Sequence, residues 1–138
     1  MAGFVPNEYR VLLLEGLVGR TAISTATVYL GLALSLPTDP STATLATISE
    51  VTTSGYARKA IPAFPAATLG PPVQMVHTTA FAFNVLTADM TTPAYFAFMT
   101  AASSGTAAPI RYIWELPGGV QGRTGEPINI PANMLVIE

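Results

Sequence analysis

The sequence contains no cysteine, which excludes disulfides, thiolate nucleophiles and cysteine-based metal sites. It contains one histidine, His77, set between Val76 and Thr78. Zinc sites draw on several His or Cys ligands, so no metal centre is expected. A hydrolase triad would have to pair that histidine with an acid and an activated serine. No Gly-x-Ser-x-Gly phrase is present, and most of the serines lie in stretches of Thr, Ala and Gly. A structural His77 is the expectation. The eight acids, Glu8, Glu15, Asp39, Glu50, Asp89, Glu115, Glu126 and Glu138, form neither a run nor an Asp-x-Asp calcium loop. No catalytic, cofactor-binding or metal-binding residue is assigned, and a non-enzymatic protein with no cofactor is expected.

Charge is scarce. Only 10% of residues are Asp, Glu, Lys or Arg, and the net charge is −2; about 25% is usual in soluble domains. Arg10, Arg20, Arg58, Lys59, Arg111 and Arg123 are scattered, and the adjacent pair Arg58-Lys59 would face opposite sides of a strand. No basic stripe for a phosphate backbone results, so nucleic acid is not an expected partner. No apolar run approaches the ~18–20 residues of a membrane helix, so no membrane partner is expected. The N-terminus lacks the basic region and apolar run of a secretory signal, and none is expected. The four asparagines, Asn7, Asn84, Asn129 and Asn133, all fall outside the glycosylation pattern.

What the sequence does have is apolar surface. Half of its 138 residues are hydrophobic, and the mean hydropathy is +0.46. Fourteen charged side chains cannot cover a domain of this size, whose ratio of surface to volume is high. Exposed apolar patches mark contact sites, so neighbours in an assembly are expected to cover much of the exterior.

Residues 6–18 predict the one helix, with Pro6 at its first position and Gly19 just past its end. Tyr9, Leu12, Leu13 and Leu17 form one apolar arc, and Val11, Leu14 and Val18 a second, with Arg10 between them. An ordinary surface helix has one such stripe. A helix with two either lies buried within its own domain or packs on both its body and a neighbour. Phe4, Val5, Tyr9, Arg10, Leu13 and Leu17 are the candidate assembly contacts.

Residues 27–36 alternate strictly, Val28, Leu30, Leu32, Leu34 and Leu36 against Thr27, Tyr29, Gly31, Ala33 and Ser35. This predicts a strand with one buried face. Further strands are expected over 48–52, 56–61, 73–77, 80–86, 94–100, 110–116, 128–130 and 134–137, with a turn at Ser54-Gly55 and a Gly-rich turn over 117–125. Ile110, Tyr112, Trp114 and Leu116 should share a face. Pro127 and Pro131 bracket an edge strand. Gly118-Gly119, Gly122 and Gly125 lack the Gly-Lys-Ser/Thr of a phosphate loop and read as a hairpin turn. The expected fold is mainly β, an antiparallel β-sandwich or jelly roll with one N-terminal α-helix. Residues 1–138 form a single domain, with a helical segment over 1–19 and the sandwich over 26–138.

The order of phrases resembles a group of small tailed-bacteriophage virion structural proteins. The phrases are Tyr29-Leu30-Gly31-Leu32, Gly55-Tyr56-Ala57-Arg58, Phe81-Ala82-Phe83, Tyr95-Phe96-Ala97-Phe98 and Ile130-Pro131-Ala132-Asn133-Met134-Leu135. The last has Asn133 where the family pattern usually has Gly, and residues 90–93 lack its Trp-Gly phrase. The resemblance implies a virion component assembled in the host cytoplasm and located in capsid or tail. The leading expectation is a homo-oligomeric capsid decoration (cement) protein that binds the major capsid protein. The alternative is a tail, collar, baseplate or fibre-associated structural protein bound to other virion proteins. A carbohydrate-binding module would need exposed aromatics, and Trp114 falls among core-like residues.

Overall fold

The leucine alternation becomes β1, Tyr29–Ser35, in the computed structural model, which describes residues 3–22, 26–62, 64, 66–68, 70 and 74–138. The helix α1 spans Asn7–Leu17. The other strands are β2 (Ser49–Glu50), β3 (Lys59–Ala60), β4 (Met75–Val76), β5 (Phe81–Val85), β6 (Ala94–Thr100), β7 (Ile110–Val120), β8 (Pro127–Ile130) and β9 (Val136–Ile137). Every described pairing is antiparallel. The main sheet runs β2-β1-β6-β7, with β3 also on β1; β4–β9 and β5–β8 are two-stranded ribbons.

The fold is mainly β and built in layers. On one face of the main sheet, Leu30, Leu32, Ala97, Tyr112, Trp114 and Leu116 pack against Phe81, Phe83, Ile128 and Ile130 of the β5–β8 ribbon. Fully burying each such leucine contributes roughly 1.5–3 kcal/mol. On the other face a second cluster joins Ala33, Phe98, Ile110 and Ile113 to Ala43, Leu45 and Ile48 of the loop before β2, with Phe4 packed on it. The expectation of a single buried face for β1 is therefore corrected. Gly31 and Ala33 are buried too, because the Phe98 ring lies on Gly31 where a Cβ would collide with it. Val28 and Leu34 keep their places beside the main core, but Leu36 crosses to the second cluster, beyond a pairing irregularity between Ala33 and Ser35.

A second correction concerns β7. Tyr112, Trp114 and Leu116 share a face as expected, but Ile110 joins the opposite cluster. Met99 pairs with Tyr112 and Thr100 with Ile110, so Arg111 is an extra residue in a β-bulge. The expected turn over 117–125 is also shorter. β7 continues through Pro117 to Val120, with Gly118 and Gly119 at φ +75° and +72° bending it.

The strands expected at 48–52, 56–61 and 134–137 shrink to two-residue pairings. The one expected at 73–77 becomes β4, and Val73 lies outside the described residues. The strand over 94–100 matches its expected bounds. Asn133 has φ +64°. Asn is among the few residues with a side chain that visit this left-handed region readily, which accounts for its standing where the family pattern has Gly.

Candidate assembly surface

The N-terminal arm is stitched to the edge of the main sheet at one point. The Phe4 amide donates to the Ile113 carbonyl and the Ile113 amide donates to the Phe4 carbonyl, each at 2.9 Å. Pro6, expected at the first helical position, is the N-cap and is buried. The C-terminus of α1 closes in a Schellman motif. The Gly19 amide donates to the Gly16 carbonyl at 3.1 Å and the Arg20 amide to the Glu15 carbonyl at 2.9 Å, with Gly19 at φ +77°.

Few contacts hold α1 to the body. Asn7 Nδ2 donates to Ser41 Oγ at 3.4 Å, and the Arg111 guanidinium lies 5.3 Å from the centre of the Tyr9 ring. Tyr9, Leu12, Thr21, Ala22, Ala101, Pro109 and Arg111 line an apolar cleft of about 280 Å³ beneath the helix. No residue of α1 is fully buried.

The outer face is apolar. Val11, Leu14, Leu17 and Val18 are 54%, 59%, 81% and 69% exposed. Charged residues flank them, Arg10 exposed and Glu15 half-buried. Arg10 donates from Nη2 to the Val5 carbonyl at 3.0 Å, and Glu15 accepts from Thr21 Oγ1 at 3.1 Å. Of the candidate contacts, Arg10 and Leu17 face outward, whereas Phe4, Val5, Tyr9 and Leu13 are half-buried. The candidates omitted Val11, Leu14 and Val18. The signal that could have found them was the second arc itself, and Leu17 belongs with that arc by exposure.

Elsewhere polar side chains are turned to architecture. Arg58 Nε and Nη2 meet Glu50 Oε1 and Oε2, both at 2.8 Å. The same guanidinium donates to the carbonyls of Ala102 (3.1 Å) and Gly105 (2.9 Å) and sits over the Phe98 ring at 5.4 Å. Tyr56 donates its hydroxyl to Glu50 Oε1 at 2.9 Å and accepts the Leu32 amide at 2.8 Å. Burial, and then the adjoining Glu50 carboxylate, push this phenol well above its ordinary range. His77 is buried, with Nδ1 2.8 Å from the Thr79 carbonyl and the rings of Phe64 and Phe81 edge-on to it. Trp114 is buried and its Nε1 donates to the Val136 carbonyl at 2.8 Å. Among the described residues no three His, Cys, Asp or Glu side chains gather where they could hold a metal ion. Among the described residues no helix is long and apolar enough to cross a membrane.

One comparison with known proteins bears on the chain as a whole. A family model described as "Podophage GP4 fiber I protein gp80" matches residues 9–138. No curated protein and no solved structure matches the chain.

Proposed function

The chain belongs to the podophage GP4 fiber I protein gp80 family, a family of tailed-phage virion structural proteins, and from that premise we propose that it is a fibre-associated building block that works by protein–protein contact and not by catalysis. The family match carries the reading. It favours the fibre-associated alternative over the shell-clamping role expected first from the sequence. The exposed apolar face of α1 supports a contact role, because contiguous exposed apolar surface marks interaction sites. The chemistry of the buried polar groups is consistent with this reading. Arg58, Glu50, Tyr56 and His77 spend their hydrogen bonds on neighbouring loops and strands.

The test is location and copy number. Antibody-gold labelling of purified particles should mark the tail region, and quantitative mass spectrometry should find a few copies per virion. Labelling over the whole head, with hundreds of copies, would return the shell-decorating reading. Absence from purified particles would overturn both.

A further inference from the structure

We infer that α1 is a self-association helix, pairing in parallel with α1 of further copies of this chain through Val11, Leu14 and Val18. The inference deepens the fibre-associated reading, since it names the partner as the chain itself.

Val11, Leu14 and Val18, the last being the C-cap of α1, are three and then four residues apart, the a, d, a positions of a heptad. Leu17 widens the same face. Tyr9, Leu12, Leu13 and Gly16 take positions on the opposite side and are half-buried, as is Glu15 at the border of the seam. Beyond the first turn, where Asn7 at d is taken up by Ser41 of the body, the two apolar arcs therefore divide the helix between a body side and a heptad seam.

Charge then selects the partner and its direction. In this register Arg10 is at g, and Glu8 and Glu15 are at e. Parallel helices bring g of one heptad beside e of the next in the partner. Five residues separate these positions, so Arg10 meets Glu15 of the other copy. An antiparallel pair would instead oppose Glu8 and Glu15, two like charges. Within one helix Arg10 and Glu15 are not neighbours. Both are available for such a pair: Glu15 holds Thr21 through Oε2 alone, and Arg10 spends one terminal nitrogen on the Val5 carbonyl. An exposed ion pair adds little affinity, so its contribution is orientation.

The absence of cysteine makes the test direct. Val11→Cys and Val18→Cys are made separately in the full chain, with Thr92→Cys, exposed and distant in sequence, as the collision control. Circular dichroism checks the fold of each, and two seam positions guard against one variant failing. Under mild oxidation each seam variant alone should form a covalent dimer well above the control. Mixing them should add no Val11→Cys to Val18→Cys product, because a heptad of rise separates the positions. Adding Arg10→Glu to either should lower the cross-linked yield about fivefold, the effect of turning both symmetry-related attractive pairs of the dimer repulsive. Further addition of Glu15→Arg should restore it. Cross-linking only in the mixture would overturn the parallel arrangement. Yields at the level of the control would overturn the seam, and failure of the double charge reversal to rescue would overturn the pairing. Each of these outcomes leaves particle labelling and copy number untouched, so the fibre-associated reading is judged separately.

Discussion

The guanidinium of Arg58 closes on the carboxylate of Glu50 through two 2.8 Å hydrogen bonds, and only 4% of the arginine side chain is exposed. This pair ties β2 to the segment before β3, and through the Ala102 and Gly105 carbonyls it ties both to the loop after β6. Removing one partner strands the other. Arg58→Ala should cost about 2–4 kcal/mol, towards the lower end for a buried pair because Glu50 reaches solvent. Arg58→Lys should recover little of it, since an ammonium cannot match the two-pronged geometry. Urea denaturation of the three proteins checks both statements.

Tyr56 should make the fold sensitive to alkali. Its hydroxyl is held above the ordinary value of 10.0 by burial and by Glu50. A raised folded-state value means that the stabilisation is complete below the unfolded phenol's pKa and is lost as pH climbs above it. Melting temperature should therefore fall above about pH 10. Tyr56→Phe should flatten that fall while lowering stability at neutral pH, because the Leu32 amide loses its acceptor. A Tyr56→Phe melting profile as steep as wild type above that pH would contradict this account.

Asp89 acts at the other end of the scale. Its carboxylate accepts the Thr124 amide at 2.8 Å and the Thr124 hydroxyl at 3.0 Å. These bonds, the amide first, hold its pKa below the usual 3.8. A depressed value contributes stability that is present above 3.8 and lost as pH falls through the folded-state value. Asp89→Ala should therefore narrow the gap between melting temperatures measured at neutral pH and below about pH 4.

Gly31 carries the close approach of β1 to β6. Gly31→Ala should destabilise by roughly 1–3 kcal/mol, the usual cost of overpacking, because its Cβ meets the Phe98 ring. Pairing it with Phe98→Leu should recover part of that loss, and a double-mutant cycle measures the coupling.

The strands that pair on both long edges were legible. β1 and β6 have enough alternating residues for period two to show, and β6 appears at its expected bounds. β2 and β3 are two-residue pairings on β1, and β4 and β9 pair only with each other; their positions depend on the partner each meets, and local pattern carries no such information. Gly31 and Ala33 looked like a solvent face because small residues mark either exposure or close packing, and only the position of Phe98 decides between them. At the assembly surface, the two arcs of α1 were visible, but which arc faces the body depends on the arm's docking at Ile113. That docking also makes deletion of residues 1–19 a poor probe of assembly, since it would strip Phe4 from the second core cluster.

The bulge at Arg111 has the character of an absorbed insertion. With Arg111 removed, Ile110 would sit next to Tyr112 and still face the second cluster, so both cores would survive the shortening. What would vanish is the cation over Tyr9. The bulged residue, which neither core requires, gives the sheet a handle for its arm. A relative one residue shorter at this point would keep the same layers and hang its helix differently. The helix beyond Pro6 can accordingly change apart from the body, while Phe4 and Pro6 stay bound by its packing.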